Sequence, residues 1–258
     1  MDGTELLEKL REIARGMGIA DVGVADANLW ETDGLVSETV REGSRPRDIL
    51  PDAESVVCIA IPLQKTIVDT TPSIYYNHLY TLTNTYLDLA IERLVLELGI
   101  LGYHAVYVPR DGYHGMKGLE KGQNSFFSHR HAAYLAGMGT IGYNNMLITE
   151  KYGPRVRITS LITSAKLPSG KPMDKQLCIG CRRCTKMCPV SAVPADNYPV
   201  LVKKDRCVEY HAKLNEEGIM PCGKCIAVCP VGNDRMPESD DKATERIRSF
   251  KLVHNMAD

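Results

Sequence analysis

The sequence predicts a mixed α/β (α+β) sheet domain followed by a small cysteine-rich domain. Three observations carry that division. Short apolar runs of strand character alternate with amphipathic helical stretches over the first part of the chain. Eight of the nine cysteines lie between Cys178 and Cys229. The stretch P-S-G-K-P from Pro168 to Pro172 sits between the two as a linker. The expected boundaries are residues 1–167 for the sheet domain, 168–236 for the cysteine-rich domain and 237–258 for a tail with a modest helix around Ala243–Val253.

Taken in order, Thr4–Gly16 places Leu6, Leu7, Leu10, Ile13 and Ala14 at helical spacing, with Thr4 as its expected cap. Ala20–Ala25 reads as a strand and Arg41–Pro51 as a loop. Ser55–Pro62 (S-V-V-C-I-A-I-P) reads as a buried strand in which Cys58 is a structural thiol. Ile67–Leu79 follows with Tyr75, Tyr76 and His78. Leu82–Leu98 is a long amphipathic helix expected to end at Gly99. Gly102–Val108 is a further strand, with His104 an ordinary member of it. The glycine-rich stretch Arg110–Ser128 is longer than a routine connection, a feature of functional loops. His129–Ala136 reads as a helix; Leu147–Thr149 and Arg155–Thr163 read as strands around a Y-G-P turn.

The totals exclude several classes. With 258 residues, 44% hydrophobic and 24% charged, the chain has the composition of a soluble globular protein and is too long for a bare ferredoxin. A formal net charge of −1 supplies no global field for nucleic acid. No apolar run approaches the roughly 20 residues of a membrane span. The chain opens M-D-G-T-E-L-L, without a secretory pattern, so a reducing cytoplasm is the expected compartment.

The cysteine pattern is the most specific signal. C-I-G-C-R-R-C-T-K-M-C-P, from Cys178, is C-x2-C-x2-C-x3-C-P, the spacing that bacterial ferredoxins use for iron–sulfur clusters. A lone Cys207 and then C-G-K-C-I-A-V-C-P, from Cys222, follow. In two-cluster proteins the cysteine before proline ligates the other cluster. That rule predicts Cys178, Cys181, Cys184 and Cys229 on one [4Fe–4S] cluster and Cys188, Cys207, Cys222 and Cys225 on a second. Zinc ribbons do not carry two such runs in tandem. The connector from Ser191 to Pro221 must then fold back to bring in Cys207. Around the array, Arg182, Arg183, Lys186, Lys203, Lys204 and Arg206 give local positive charge suited to steering an acidic electron donor.

Gly137, Gly139 and Gly142 form G-x-G-x-x-G. A dinucleotide fingerprint needs a strand before it, and here a helix precedes it, so that reading fails. A tight turn and close backbone approach to a bulky cofactor both remain open.

Four segments together carry a family resemblance. They are R-P-R-D-I-L-P (45–51), H-R-H-A-A-Y-L-A-G-M-G-T-I-G-Y-N-N-M-L-I (129–148), Y-G-P-R-V-R-I-T-S-L-I-T (152–163) and D-R-C-V-E-Y (205–210) ahead of the second cysteine run. With the array itself, the chain resembles the epoxyqueuosine reductase family and, more distantly, the reductive dehalogenases. The resemblance implies a nitroreductase-like, cobalamin-binding sheet domain and a two-cluster ferredoxin-like domain. It implies base-off cobalamin without a protein ligand to the cobalt, and FMN as the alternative cofactor of the parent fold. Electrons would come from a low-potential donor such as ferredoxin or flavodoxin and reach a small or nucleoside-like substrate. Carried over residue by residue, Arg45 and Tyr210 join the three glycines as cofactor-binding positions. Tyr76, His78, His129 and Tyr143 become the candidate proton donors. Gln123 stands where the family has an aspartate, which with the charge balance argues against tRNA as substrate. The remaining alternative is a non-catalytic electron carrier or corrinoid activator.

Overall fold

The computed structural model describes residues 1–19, 21–110, 117–118, 125–195 and 202–233. The expected tail helix, Gln123 and most of the Arg110–Ser128 stretch lie outside those residues. The chain divides into two compact units. One comprises Met1–Ile61, Thr83–Thr140 and Arg157–Gln176; the other comprises Pro62–Leu82, Ile141–Val156 and the chain from Leu177 onward.

The first unit is built on a four-stranded sheet of β1 (Asp21–Asp26), β2 (Ser55–Pro62), β6 (Val156–Thr163) and β3 (Ala105–Val108), in the order β1-β2-β6-β3. β1 and β2 are antiparallel, with Gly23 opposite Cys58, and β3 and β6 are antiparallel, with Val106 opposite Ile162. β2 is buried from Ser55 to Ala60, and so reads as a continuous apolar run rather than an alternation. On one face Val57, Ile59 and Leu161 pack with Leu6, Leu7 and Leu10 of α1 (Gly3–Gly16) and with Leu87, Ile91, Leu94 and Leu98 of α6 (Ile74–Ile100). Each such side chain contributes about 1.5–3 kcal/mol by leaving water.

α1 is capped two residues earlier than its sequence suggests. Asp2, not Thr4, is the N-cap: its carboxylate accepts from the N–H groups of Thr4 and Glu5, and Glu5 accepts from the Asp2 N–H. A carboxylate capping box satisfies more free donors than a threonine hydroxyl can.

α6 corrects two boundaries. It starts at Ile74 because Ser73 caps it: the Ser73 hydroxyl accepts from Tyr76 N at 3.1 Å and its carbonyl from Asn77 N at 2.9 Å. It passes through Gly99. The terminator is Gly102, at φ +87°, after which the Tyr103 N–H returns to Leu98 O at 3.0 Å. Two short helices, α2 (Leu29–Thr32) and α3 (Gly34–Thr39), follow β1, and α4 (Pro46–Ile49), with proline in its first turn, interrupts the expected Arg41–Pro51 loop. α7 spans His129–Leu135.

The second unit contains α5 (Lys65–Val68), the first turns of α6, β5 (Leu147–Ile148), which pairs with β4 (Thr140–Ile141), and three helices among the cysteines: α8 (Arg183–Met187), α9 (Lys204–Glu216) and α10 (Lys224–Ala227). Its small core gathers Leu63, Val68, Tyr76 and Leu79 with Ile226 and Ala227. No helix among the described residues is long and apolar enough to cross a membrane.

Candidate metal centre

The two cysteine runs repeat one local device. Cys181 is followed by Arg182 in the left-handed region (φ 58°), which caps α8 and presents Cys184 in the next turn. Cys222 is followed by Gly223 (φ 65°), which caps α10 and presents Cys225. A left-handed residue between the ligands turns the chain sharply enough to bring both thiols to one side. At Gly223 a Cβ would lie 2.5 Å from both Thr71 Oγ1 and Tyr76 Cε1, so only glycine fits there.

Cys178, Cys181, Cys184 and Cys229 line one small cavity that opens to solvent. Tyr143, Asn144, Ile148, Ile179, Arg182, Arg183 and Val231 complete its wall, and none of the other four cysteines contributes to it. Burial pushes the Cys184 and Cys229 thiols up, and in each case the charges of Cys178 and Cys181 push further. At Cys229 the Val231 N–H and the Arg155 guanidinium oppose that rise.

The remaining four form their own neighbourhood. Cys207 sits on α9, and burial, then Cys222 and Cys188, raise its thiol to about 11. Burial also raises Cys222, with Cys188 adding and the Lys224 N–H and charge opposing. Cys225, raised most strongly by burial, responds to Cys222, Cys207, Cys184 and Cys188, and so touches both sets. Cys188 Sγ accepts an N–H from Ala192 at 3.1 Å. Crowded, buried thiols of this kind give up their protons when a metal replaces them. Among the described residues no three His, Cys, Asp or Glu side chains close on one point as around a single ion. Zinc would hold every sulfur about 2.3 Å from one centre. A four-iron cube binds each thiolate at a different iron, so its ligands stand farther apart.

Inserted segments brace these loops. Asn77 Nδ2 donates to Met220 O at 2.6 Å and the Thr71 hydroxyl to Cys222 O. Asn144 Nδ2 donates to Cys225 O at 3.2 Å. Fully buried Arg155 donates to Cys229 O at 3.0 Å and Val231 O at 2.8 Å. His211, one turn after Cys207, accepts from the Cys222 N–H at 3.3 Å, and burial lowers its pKa toward the neutral form. Sequence reasoning missed all five. The one available signal was Arg155, a charge beside an apolar strand.

The candidate proton donors have different surroundings. Tyr76 is buried against Gly223, whereas His78, two residues on along α6, is exposed. A two-residue step on a helix points side chains in different directions. His129 is held inside the first unit, with Nδ1 3.0 Å from Ser160 Oγ and Nε2 3.2 Å from Pro109 O. Tyr143 lies in the cavity wall, its hydroxyl accepting from Arg182 Nη2 at 2.9 Å.

The cofactor positions also differ in their surroundings. Arg45 pairs with Glu31, while its Nε is buried without a hydrogen-bond partner among the described residues. Gly137, at φ +72°, closes α7, and a Cβ there would stand 2.5 Å from Lys171 O. At Gly142 a Cβ would meet Ile148 at 2.7 Å. Gly139 is buried. The room at Gly137 and Gly142 is filled by the protein's own atoms. Tyr210, half-buried on α9, is raised by burial and then by the charge of Cys222. His104 precedes β3 and makes an exposed pair with Asp52 at 2.6 Å.

Comparison with known proteins agrees with the cysteine geometry. Residues 177–233 match the model of a 4Fe-4S dicluster domain. Tetrachloroethene reductive dehalogenase of Dehalobacter restrictus is 32% identical over 114 residues, covering 38% of this chain and 21% of that protein. Epoxyqueuosine reductase of Pseudomonas aeruginosa is 23% identical over 269 residues, covering 89% of this chain and 69% of that protein. The match to the dehalogenase thus spans about a fifth of its length. Among solved structures, an epoxyqueuosine reductase with a tRNA-Tyr epoxyqueuosine-modified stem loop superposes with TM-score 0.57 at 20% identity, over 88% of this chain and 65% of that one. A reductive dehalogenase structure described as suggesting a mechanism for B12-dependent dehalogenation gives TM-score 0.67 at 16% identity, over 98% and 36%. The fold is therefore the one those two groups share, with a ferredoxin-like domain at its C-terminal end. Over most of its length the chain is similar to the epoxyqueuosine reductases, with a further likeness to the reductive dehalogenases, and it carries a match to a 4Fe-4S dicluster domain.

Proposed function

We propose that this protein is an iron–sulfur reductase that passes electrons through two [4Fe–4S] clusters to a corrinoid and reduces a small or nucleoside-like substrate. The observation that carries the reading is the single cavity lined by Cys178, Cys181, Cys184 and Cys229 and by no other cysteine. Those four hold the first cluster; Cys188, Cys207, Cys222 and Cys225 hold the second. When bound, the clusters supply one-electron transfer at low potential. The chain's own part is to fix the ligand loops through Asn144 and Arg155 and to neutralise charge beside them.

The donor is a low-potential, acidic electron carrier. Arg183, Lys186, Lys203, Lys204 and Arg206 are exposed and present the charge that would steer it. Thiolate-bound clusters agree with a reducing, cytoplasmic setting.

The corrinoid is supported by the likeness to a dehalogenase described as B12-dependent, and not by the glycine block. Gly137 and Gly142 face Lys171 and Ile148 and offer no open cradle. The proton donor is sought among Tyr76, His78, His129 and Tyr143.

Anaerobic reconstitution followed by gel filtration with cob(II)alamin or FMN tests the reading. Co-elution of the corrinoid with the iron–sulfur absorption is expected. Retention of FMN instead establishes the flavin alternative, and retention of neither leaves an electron carrier.

A further inference from the structure

Arg182 differs from the other basic residues around the cysteines. Arg183, Lys186, Lys203, Lys204 and Arg206 are exposed, whereas Arg182 is half-buried and lines the cavity of the first quartet. Its guanidinium carbon lies 3.7 Å from the centroid of the Tyr143 ring, and Nη2 donates to the Tyr143 hydroxyl at 2.9 Å. Nη1 is buried and has no hydrogen-bond partner among the described residues. A buried donor without an acceptor is destabilising, and more so when charged. Arg182 also keeps a left-handed backbone, φ 58°, at the place where the second run uses Gly223. That conformation is disfavoured for a residue that carries a side chain. Two local costs at one residue in the wall of a ligand cavity point to an acceptor supplied by what the cavity holds.

We infer that Arg182 is the potential-setting residue of the first cluster: it donates its free Nη1–H to a cluster or thiolate sulfur, while Tyr143 holds the guanidinium in place. The inference rests on the cluster assignment proposed above. A donated hydrogen bond and a fixed positive charge favour the more negative, reduced state, and hydrogen bonds to sulfur are among the determinants of cluster potential. Arg182 thus makes the first cluster easier to reduce than its cysteines alone would. The exposed lysines and arginines, screened by water, do this far less.

Redox titration of the reconstituted protein, followed by the electron paramagnetic resonance of the reduced clusters, tests the inference. Arg182→Gln is expected to move one of the two midpoints to more negative potential. The expected size is about a tenfold change in the oxidised-to-reduced ratio at fixed poise, equivalent to about 59 mV for one electron. Lys186→Gln removes the same charge from an exposed position and is expected to move neither midpoint appreciably. Should Arg182→Gln fail to load iron, Tyr143→Phe decides: it keeps the ring, removes the acceptor for Nη2, and is expected to lower the same midpoint by a smaller amount. Unchanged midpoints in the loaded variants, or equal shifts from Arg182→Gln and Lys186→Gln, overturn the role of Arg182. Wild-type protein that assembles no cluster overturns the functional reading instead, and iron content separates the two failures.

Discussion

Arg155 Nη1 donates to the carbonyl oxygen of Cys229 at 3.0 Å, from a side chain wholly removed from solvent. With Nη2 on Val231 O at 2.8 Å, one guanidinium fixes the backbone on both sides of Pro230, where the second cysteine run ends. An arginine fork suits this because its donors are planar and pre-organised, whereas lysine offers a single flexible point charge. Arg155→Met removes both bonds and leaves two carbonyls without their donor. Loss of about 3 kcal/mol or more is expected, measured by chemical denaturation of the apo-protein. Arg155→Lys is expected to recover less than half of it.

The two quartets make separable predictions. Cys229→Ala is expected to remove about half of the iron. Adding Cys178→Ala should remove little more, because the proposed assignment gives both residues to one cluster. Adding Cys222→Ala to Cys229→Ala should remove nearly all of it. Iron and acid-labile sulfide assays on the three proteins check the pairing. Equal losses in the two double variants would show that the ligand sets are mixed.

Gly137 separates a folding role from a cofactor role. Its φ of +72° and the 2.5 Å approach of a would-be Cβ to Lys171 O predict that Gly137→Ala destabilises the apo-protein by about 2 kcal/mol or more. Gly99→Ala serves as the comparison. Gly99 lies inside α6 with nothing within 4 Å of its Cβ position, so a gain of about 0.5–1 kcal/mol is expected. Thermal unfolding measures both. A Gly137→Ala protein of unchanged stability would return the glycine to the cofactor.

Cys58 gives a pH dependence with a definite sign. Burial, opposed only by Ser160, raises its thiol from 9.0 to about 12. The folded state therefore keeps the proton after the unfolded state has lost it. Stability from this group is present below pH 9 and falls at about 1.4 kcal/mol per pH unit between about pH 9 and pH 12. Cys58→Ala is expected to flatten the slope of apo-protein stability over that interval. Cys58 should also resist alkylation at pH 8, with mass spectrometry locating the label on other cysteines.

The sequence was most legible where one residue type does one job. Cysteine spacing by itself marked out the stretch that matches a 4Fe-4S dicluster domain, because thiol ligands have few substitutes and their steps are short. β2 was legible from Ser55 to Pro62, since a strand buried on both faces reads as an uninterrupted apolar run. The ends of α6 were not. Ser73 and Gly102 do what Leu82 and Gly99 suggested, and the choice between two glycines rests on a positive φ that composition does not reveal. His129 resembled a proton donor because histidine is one by chemistry; Ser160 and Pro109, distant in sequence, occupy both of its nitrogens. Arg182 was counted with the steering charges, since its burial depends on Tyr143, 39 residues away.

The central claim, that eight thiols gather two cubes, is tested most directly by counting iron in anaerobically reconstituted protein. About eight iron atoms and as many acid-labile sulfides per chain are expected. About four would leave a single cluster, and one or two, without labile sulfide, would contradict the account.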